Sequence, residues 1–156
     1  MHARVERVLR TVGLEPWRTE HPFFLGKGQR QRLAVGAALA VEPEVIVVDE
    51  PTTGQDHAMC QEIMALLDHL NGAGHTVVVI THDMQLVAEH CRRVVVMVDG
   101  RIIADGSPQA IFADPAVTAR AHLEPPQVVR LSLALAPGAP PALSVAELAA
   151  RLRPNP

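Results

Sequence analysis

The sequence has only two cysteines in 156 residues. Cys60 and Cys91 have neither metal-ligand spacing nor the numbers for a disulfide framework, which fits a reducing cytosol. Basic residues are not in excess: 14 lysines and arginines stand against 17 aspartates and glutamates, for a formal charge of -3. That balance points away from nucleic acid and from an anionic membrane surface. No apolar run approaches the roughly 18 residues of a membrane-spanning helix. The opening Met1-His2-Ala3-Arg4-Val5-Glu6-Arg7 lacks the apolar centre of a signal peptide. What is present is 48% hydrophobic residue against 20% charged, enough to bury the core of one domain. The expectation is a cytosolic α/β or α-rich protein, neither secreted, membrane-spanning nor disulfide-stapled.

Periodicity divides the chain. Val5, Val8, Leu9 and Val12 have helical spacing over residues 1–14, with Gly13 to end the turn. Residues 15–28, with two prolines and two glycines, read as a loop. Residues 29–41 read as a helix with a polar first turn, buried along most of its length. Three β-branched runs follow: Val45 to Val48, Val77 to Ile80 and Val94 to Val98. They are continuous rather than alternating, which predicts strands covered on both faces, as in a parallel sheet flanked by helices. A helical pattern from Asp56 to Leu70 lies between the first two, completing a βαβ unit. Asp99-Gly100 between apolar runs predicts a hairpin. Nine of the 13 prolines lie beyond residue 104. Short helices are expected there over 108–112, 126–134 and 144–152, the last opened by Ser144 with Glu147 at capping-box spacing.

Four segments could carry chemistry. In Val45-Ile46-Val47-Val48-Asp49-Glu50-Pro51, two adjacent carboxylates sit at the C-terminal end of a buried strand, the edge where ligands bind in open parallel sheets. Such a pair repels itself unless a cation or a polarised water is nearby. Asp49 is placed to hold Mg2+ and Glu50 to polarise an attacking water; an acidic turn after a strand is the alternative. His82 follows the second strand and would share that rim if the two strands are parallel neighbours; taken alone it reads as a helix cap or a satisfied rim residue. The other seven histidines are scattered and read as surface residues. Leu25-Gly26-Lys27-Gly28-Gln29 precedes a helix, so its backbone N–H groups and the helix dipole offer an anion site. A glycine-rich loop needing unusual dihedrals is the alternative. Asp56, closing Thr52-Thr53-Gly54-Gln55-Asp56, is a good N-cap for the crossover helix, and capping alone could explain it. The G-x-x-x-x-G-K-[ST] phosphate loop is absent from the sequence.

Taken in order, the four segments resemble an ATP-binding cassette (ABC) ATPase over residues 1 to about 106. Leu25 to Gln29 resembles the signature motif, Val45 to Glu50 Walker B, Thr52 to Asp56 the D-loop, and His82 the switch histidine. Within the family the wording is most similar to the ATP-binding subunit of energy-coupling factor (ECF) importers, whose C-terminal extension residues 107–156 also resemble. The resemblance implies an incomplete P-loop-NTPase-like parallel sheet with flanking helices. Residues 1–41 would be part of the helical subdomain, 42–106 the C-terminal part of the nucleotide-binding core, and 107–156 a small helical extension. It implies ATP and Mg2+ as ligands, Asp49 on Mg2+, and Glu50 and His82 as catalytic residues. Leu25, Gly26, Lys27, Gly28, Gln29 and Asp56 would serve nucleotide binding across a dimer with a second ABC ATPase domain. It also implies a transmembrane transporter subunit as partner, placement on the cytoplasmic face of the cell membrane, and import of a vitamin or a transition-metal ion.

The sequence departs from the family in two ways. Gly26 replaces the signature serine and Lys27 the next glycine, so a hydroxyl is lost and a cation gained. The Walker A and Q-loop segments are not found, so the sheet would have an uncovered edge and hydrolysis would need that half from elsewhere. A non-catalytic assembly module completing a partner's ATP site, or a truncated remnant, is the alternative. ABC-type ATPases of DNA maintenance rank last, because heptads and a basic stripe are lacking.

Overall fold

A computed structural model describes residues 2–153. The chain divides into two compact units, one up to Ile80 and one from Thr81. The first contains α1 (His2–Thr11), two 3-10 turns at Glu15–Trp17 and Pro22–Phe24, α2 (Lys27–Leu39), β1 (Val45–Asp49), α3 (His57–Gly72) and β2 (Thr76–Ile80). Helix α1 ends where Gly13 turns into the left-handed region, with φ 67°. Val8 and Val12 then pack closely on Gly36 of α2: a Cβ there would lie 3.3 Å from both side chains. Val5, counted with that stripe from its spacing, is exposed instead. Helix α2 begins two residues earlier than the periodicity suggests. It buries only Gly28, Val35, Gly36 and Leu39. The expected burial along most of its length does not hold, because its alanines are short enough to face water at little cost.

β1 and β2 pair in parallel, with Val45 opposite Thr76, Val47 opposite Val78 and Asp49 opposite Ile80. The βαβ unit read from the sequence is therefore present, with α3 as crossover. The two faces differ sharply. Ile46 is buried and Val48, Val77 and Val79 are half-buried, while α3, packed on β2, buries Ile63, Met64, Leu66, Leu67 and Leu70. On the other face Val45 (53%), Val47 (59%), Val78 (42%) and Ile80 (51%) are exposed. The expectation that both faces are covered is thus corrected: among the described residues only one layer of cover is supplied. His75 also departs from the surface reading; its partly buried Nδ1 donates to Pro43 O at 2.7 Å.

The second unit contains α4 (Met84–His90), β3 (Val94–Val98), β4 (Arg101–Gly106), α5 (Pro108–Ala113), α6 (Pro115–Arg120), α7 (Gln127–Leu135) and α8 (Val145–Leu152). The third β-branched run does not join the parallel pair. It forms its own antiparallel sheet with β4. The hairpin expected from the sequence is present: Asp99 and Gly100 both have positive φ, 49° and 72°, the geometry that folds neighbouring strands into a tight hairpin. Arg93 grips Asp105 with two hydrogen bonds of 2.8 and 2.7 Å beside that ribbon. Val87, Ala88, Phe112, Val128, Val129, Ala142 and Leu148 form the core of this unit. Helix α6 was not legible in the sequence; Asp114 caps it, with Pro115 at its first position.

The capping of α8 makes a pH-dependent contribution. Ser144 Oγ accepts from Glu147 N at 3.1 Å, and Glu147 Oε2 accepts from Leu143 N at 2.8 Å. The Leu143 hydrogen bond holds the Glu147 carboxyl below the ordinary glutamate value of 4.5, against partial desolvation and with help from Arg151. A lowered carboxylate pKa stabilises the fold above the unfolded value, and that stabilisation is lost as pH falls through the folded one. Thermal melts should therefore show the wild type above Glu147→Gln at neutral pH. The gap should close as the pH falls from about 4.5 downward; a pH-independent gap would contradict the assignment.

Candidate functional site

Asp49 is the exposed last residue of β1, and Glu50 turns away from the strand direction at once. Glu50 has φ 47°, a left-handed conformation that costs a non-glycine residue energy. It is held there by its N–H donating to Ile80 O at 2.8 Å, extending the β1–β2 pairing by one bond. Adjacent carboxylates are thereby aimed differently despite their proximity in sequence. The Glu50 carboxylate accepts from Thr53 Oγ1 at 2.8 Å, and Glu50 O accepts from Thr53 N at 3.3 Å. Thr53 was not singled out in the sequence; a hydroxyl three residues beyond an acidic turn is too common to signal a role.

The signature-like segment lies in the same unit and is bonded to this loop. Lys27 Nζ donates to Gly54 O at 2.6 Å and Thr53 O at 3.1 Å. Gln31 Nε2 donates to Pro51 O, Gln55 Nε2 reaches the same oxygen at 3.4 Å, and Cys60 Sγ donates to Thr52 O at 3.6 Å. The roles of Gln31 and Gln55 also escaped the sequence reading, since nothing in a polar first turn marks which glutamine reaches another loop. Gln29 Oε1 accepts from Gly26 N at 2.7 Å, closing the start of α2 onto itself. Leu25 is buried, and its carbonyl accepts from Arg30 Nη1 at 2.6 Å. Gly28 is buried where a Cβ would lie 1.5 Å from the Met59 methyl, so the Met59 side chain of α3 lies directly against α2 here.

Asp56 caps α3: its Oδ1 accepts from Met59 N at 2.9 Å. Asp56→Ala should cost about 0.5–2 kcal/mol of stability, measured by chemical unfolding; no loss would show the cap to be redundant. His82 belongs to the second unit and is exposed. It does not cap α4. That part falls to Asp83, whose Oδ1 accepts from Gln85 N and Leu86 N at 3.0 and 3.1 Å. His82 lines a groove of about 460 Å³ with His122, Leu123 and Glu124.

The donor set suits Mg2+ in its common mode, one carboxylate with the remaining positions left to water and phosphate oxygens. Asp49 is exposed at a strand end, and the Glu50 carboxylate accepts from Thr53 Oγ1. Among the described residues no group of three His, Cys, Asp or Glu side chains is arranged to hold a metal ion by itself.

This α/β arrangement matches part of the ATPase domain of ABC transporters. Residues 1–53 match the family model described as ABC transporter. A protein of Methanosarcina acetivorans named as an ABC transporter ATP-binding protein is 45% identical over 130 residues, covering 83% of this chain and 21% of the relative. The energy-coupling factor transporter ATP-binding protein EcfA of Methanocaldococcus jannaschii is 41% identical over 128 residues, 82% of this chain and 46% of the relative. The solved structure of cbiO1 from Clostridium perfringens, part of the ABC transporter complex cbiONQ, superposes with a TM-score of 0.68 at 35% identity. That match covers 83% of this chain and 52% of cbiO1. The chain thus spans less than half the length of these curated relatives and about half of the solved structure.

Proposed function

We propose that this chain is part of the ATP-binding, ATP-hydrolysing subunit of an ECF-type ABC importer that powers uptake of a vitamin or a transition-metal ion. The observation that carries the reading is the linkage within one unit. The Asp49-Glu50 strand end, the loop through Asp56 and the start of α2, the segments that resemble Walker B, D-loop and signature, are joined by hydrogen bonds. The relatives named as energy-coupling factor transporter ATP-binding proteins support the ECF assignment.

In this reading Asp49 holds Mg2+, which when bound neutralises charge on the phosphate oxygens. Glu50 accepts a proton from the attacking water, its carboxylate oriented by the Thr53 hydroxyl. His82 donates a hydrogen bond to the transferring phosphoryl group. Gly28 and Gln29 present the start of α2 to the nucleotide of a second ATPase domain, and a transmembrane subunit receives the resulting motion. Among the described residues no helix is long and apolar enough to cross a membrane.

The G-x-x-x-x-G-K-[ST] loop is not found in residues 1–156, and the match leaves about half of the M. jannaschii EcfA uncovered. Joining this chain to that half of the M. jannaschii EcfA should produce magnesium-dependent ATP hydrolysis. A folded, ATP-binding assembly with no turnover would favour a non-catalytic assembly module.

A further inference from the structure

We infer that Lys27 is a positioning residue that sets the Glu50 carboxylate through the loop between them; the inference rests on Glu50 being the carboxylate that activates water. Lys27 stands where the family signature usually has glycine, so its role here is not part of the common motif. Its ammonium bonds two successive main-chain carbonyls, Thr53 O at 3.1 Å and Gly54 O at 2.6 Å.

The loop is shaped around that cation. Gly54 has φ +68°, and a Cβ on it would lie 2.7 Å from Lys27 Nζ. A side chain at this position would strain the backbone and push the ammonium away. An ammonium has three donors and no acceptor, so a pair of converging carbonyls is a suitable partner.

Thr53 is the relay. Its carbonyl accepts from Lys27, while its hydroxyl and its N–H both donate to Glu50, at 2.8 and 3.3 Å. Glu50 in turn occupies a strained left-handed conformation that its surroundings must hold. Gln31, Gln55 and Cys60 also bind this loop, at the Pro51 and Thr52 carbonyls. Among these described bonds, that of Lys27 carries a full charge and reaches Thr53, whose hydroxyl donates to the Glu50 carboxylate.

The experiment compares wild type, Lys27→Met and Lys27→Arg in this chain. Methionine keeps much of the apolar stem and removes the charge; arginine restores donors. Lys27 is exposed, and circular dichroism with a thermal melt verifies that each variant folds. In Lys27→Met, amide exchange across residues 53–55 should rise by about tenfold or more, and the Glu50 side-chain carboxyl resonance in carbon-13 NMR should move. Lys27→Arg should return both toward wild type. Unchanged exchange and an unmoved resonance in Lys27→Met would overturn the inference, as would an arginine variant indistinguishable from methionine.

These readouts need no ATP, so their failure is separate from failure of the ATPase reading. In the joined assembly, Lys27→Met should lower kcat, and Lys27→Arg should return it toward wild type. A wild-type kcat there would remove the positioning role.

Discussion

Glu50→Gln, made in this chain joined to the complementary half of the M. jannaschii EcfA, is expected to lower ATP turnover by at least about a hundredfold, since a positioned general base contributes about 10²–10⁴ in rate. ATP binding should persist. Glutamine keeps the length and branching of the side chain, and its amide oxygen can still accept the Thr53 hydroxyl. What it loses is the negative charge and the basicity that would take a proton from water. The strained backbone of residue 50 is also unaltered, so the substitution tests chemistry rather than architecture. Phosphate release and equilibrium binding of a fluorescent nucleotide measure the two quantities separately. Turnover within about threefold of wild type would remove Glu50 from the base role, because a factor that small corresponds to under about 1 kcal/mol.

The second large effect concerns stability. Leu67 is 2% exposed on the face of α3 that carries Ile63, Met64 and Leu70 inward. Leu67→Ala should cost about 2–5 kcal/mol, through lost burial and the cavity left behind. That is a large share of the total stability of an ordinary domain, about 5–15 kcal/mol. Urea titration would show a lower midpoint with a similar slope. Trimming the opposite face of the sheet offers the contrast: Val47 is 59% exposed, and Val47→Ala should change stability by no more than about 0.5 kcal/mol. If the two substitutions cost the same, the one-sided cover of the β1–β2 pair would be refuted.

The parts legible in the sequence were those specified locally. The β-branched runs, the helical spacing of Ile63, Leu67 and Leu70, the Asp99-Gly100 hairpin and the Ser144 and Asp56 caps all depend on neighbours within a few residues, and each is present. The readings that failed depended on what lies across from an element. A continuous apolar strand states that both faces prefer burial, not that cover is supplied, and Val45, Val47, Val78 and Ile80 are bare. Likewise the continuous Val94–Val98 run read as a strand of a parallel sheet, whereas its pairing is the antiparallel one that the Asp99-Gly100 turn signalled. In the candidate site, the residue types at strand ends and loops were readable because the chemistry restricts them. The links from Lys27 to Thr53 and from Thr53 to Glu50 were not, because a lysine 26 residues away from a carbonyl leaves no periodic trace.

The bare side of β1 and β2 has a practical consequence. Four β-branched side chains lie together there in water, on strands that, among the described residues, pair only with each other. Such a surface templates further strands and attracts other greasy surfaces. Handled alone, the polypeptide should therefore scatter more light as it is concentrated, and more so in sulfate than in dilute buffer, since excluded salts drive apolar surfaces together. An aspartate at Val47 would be the simplest way to keep it colloidally quiet while its chemistry is studied.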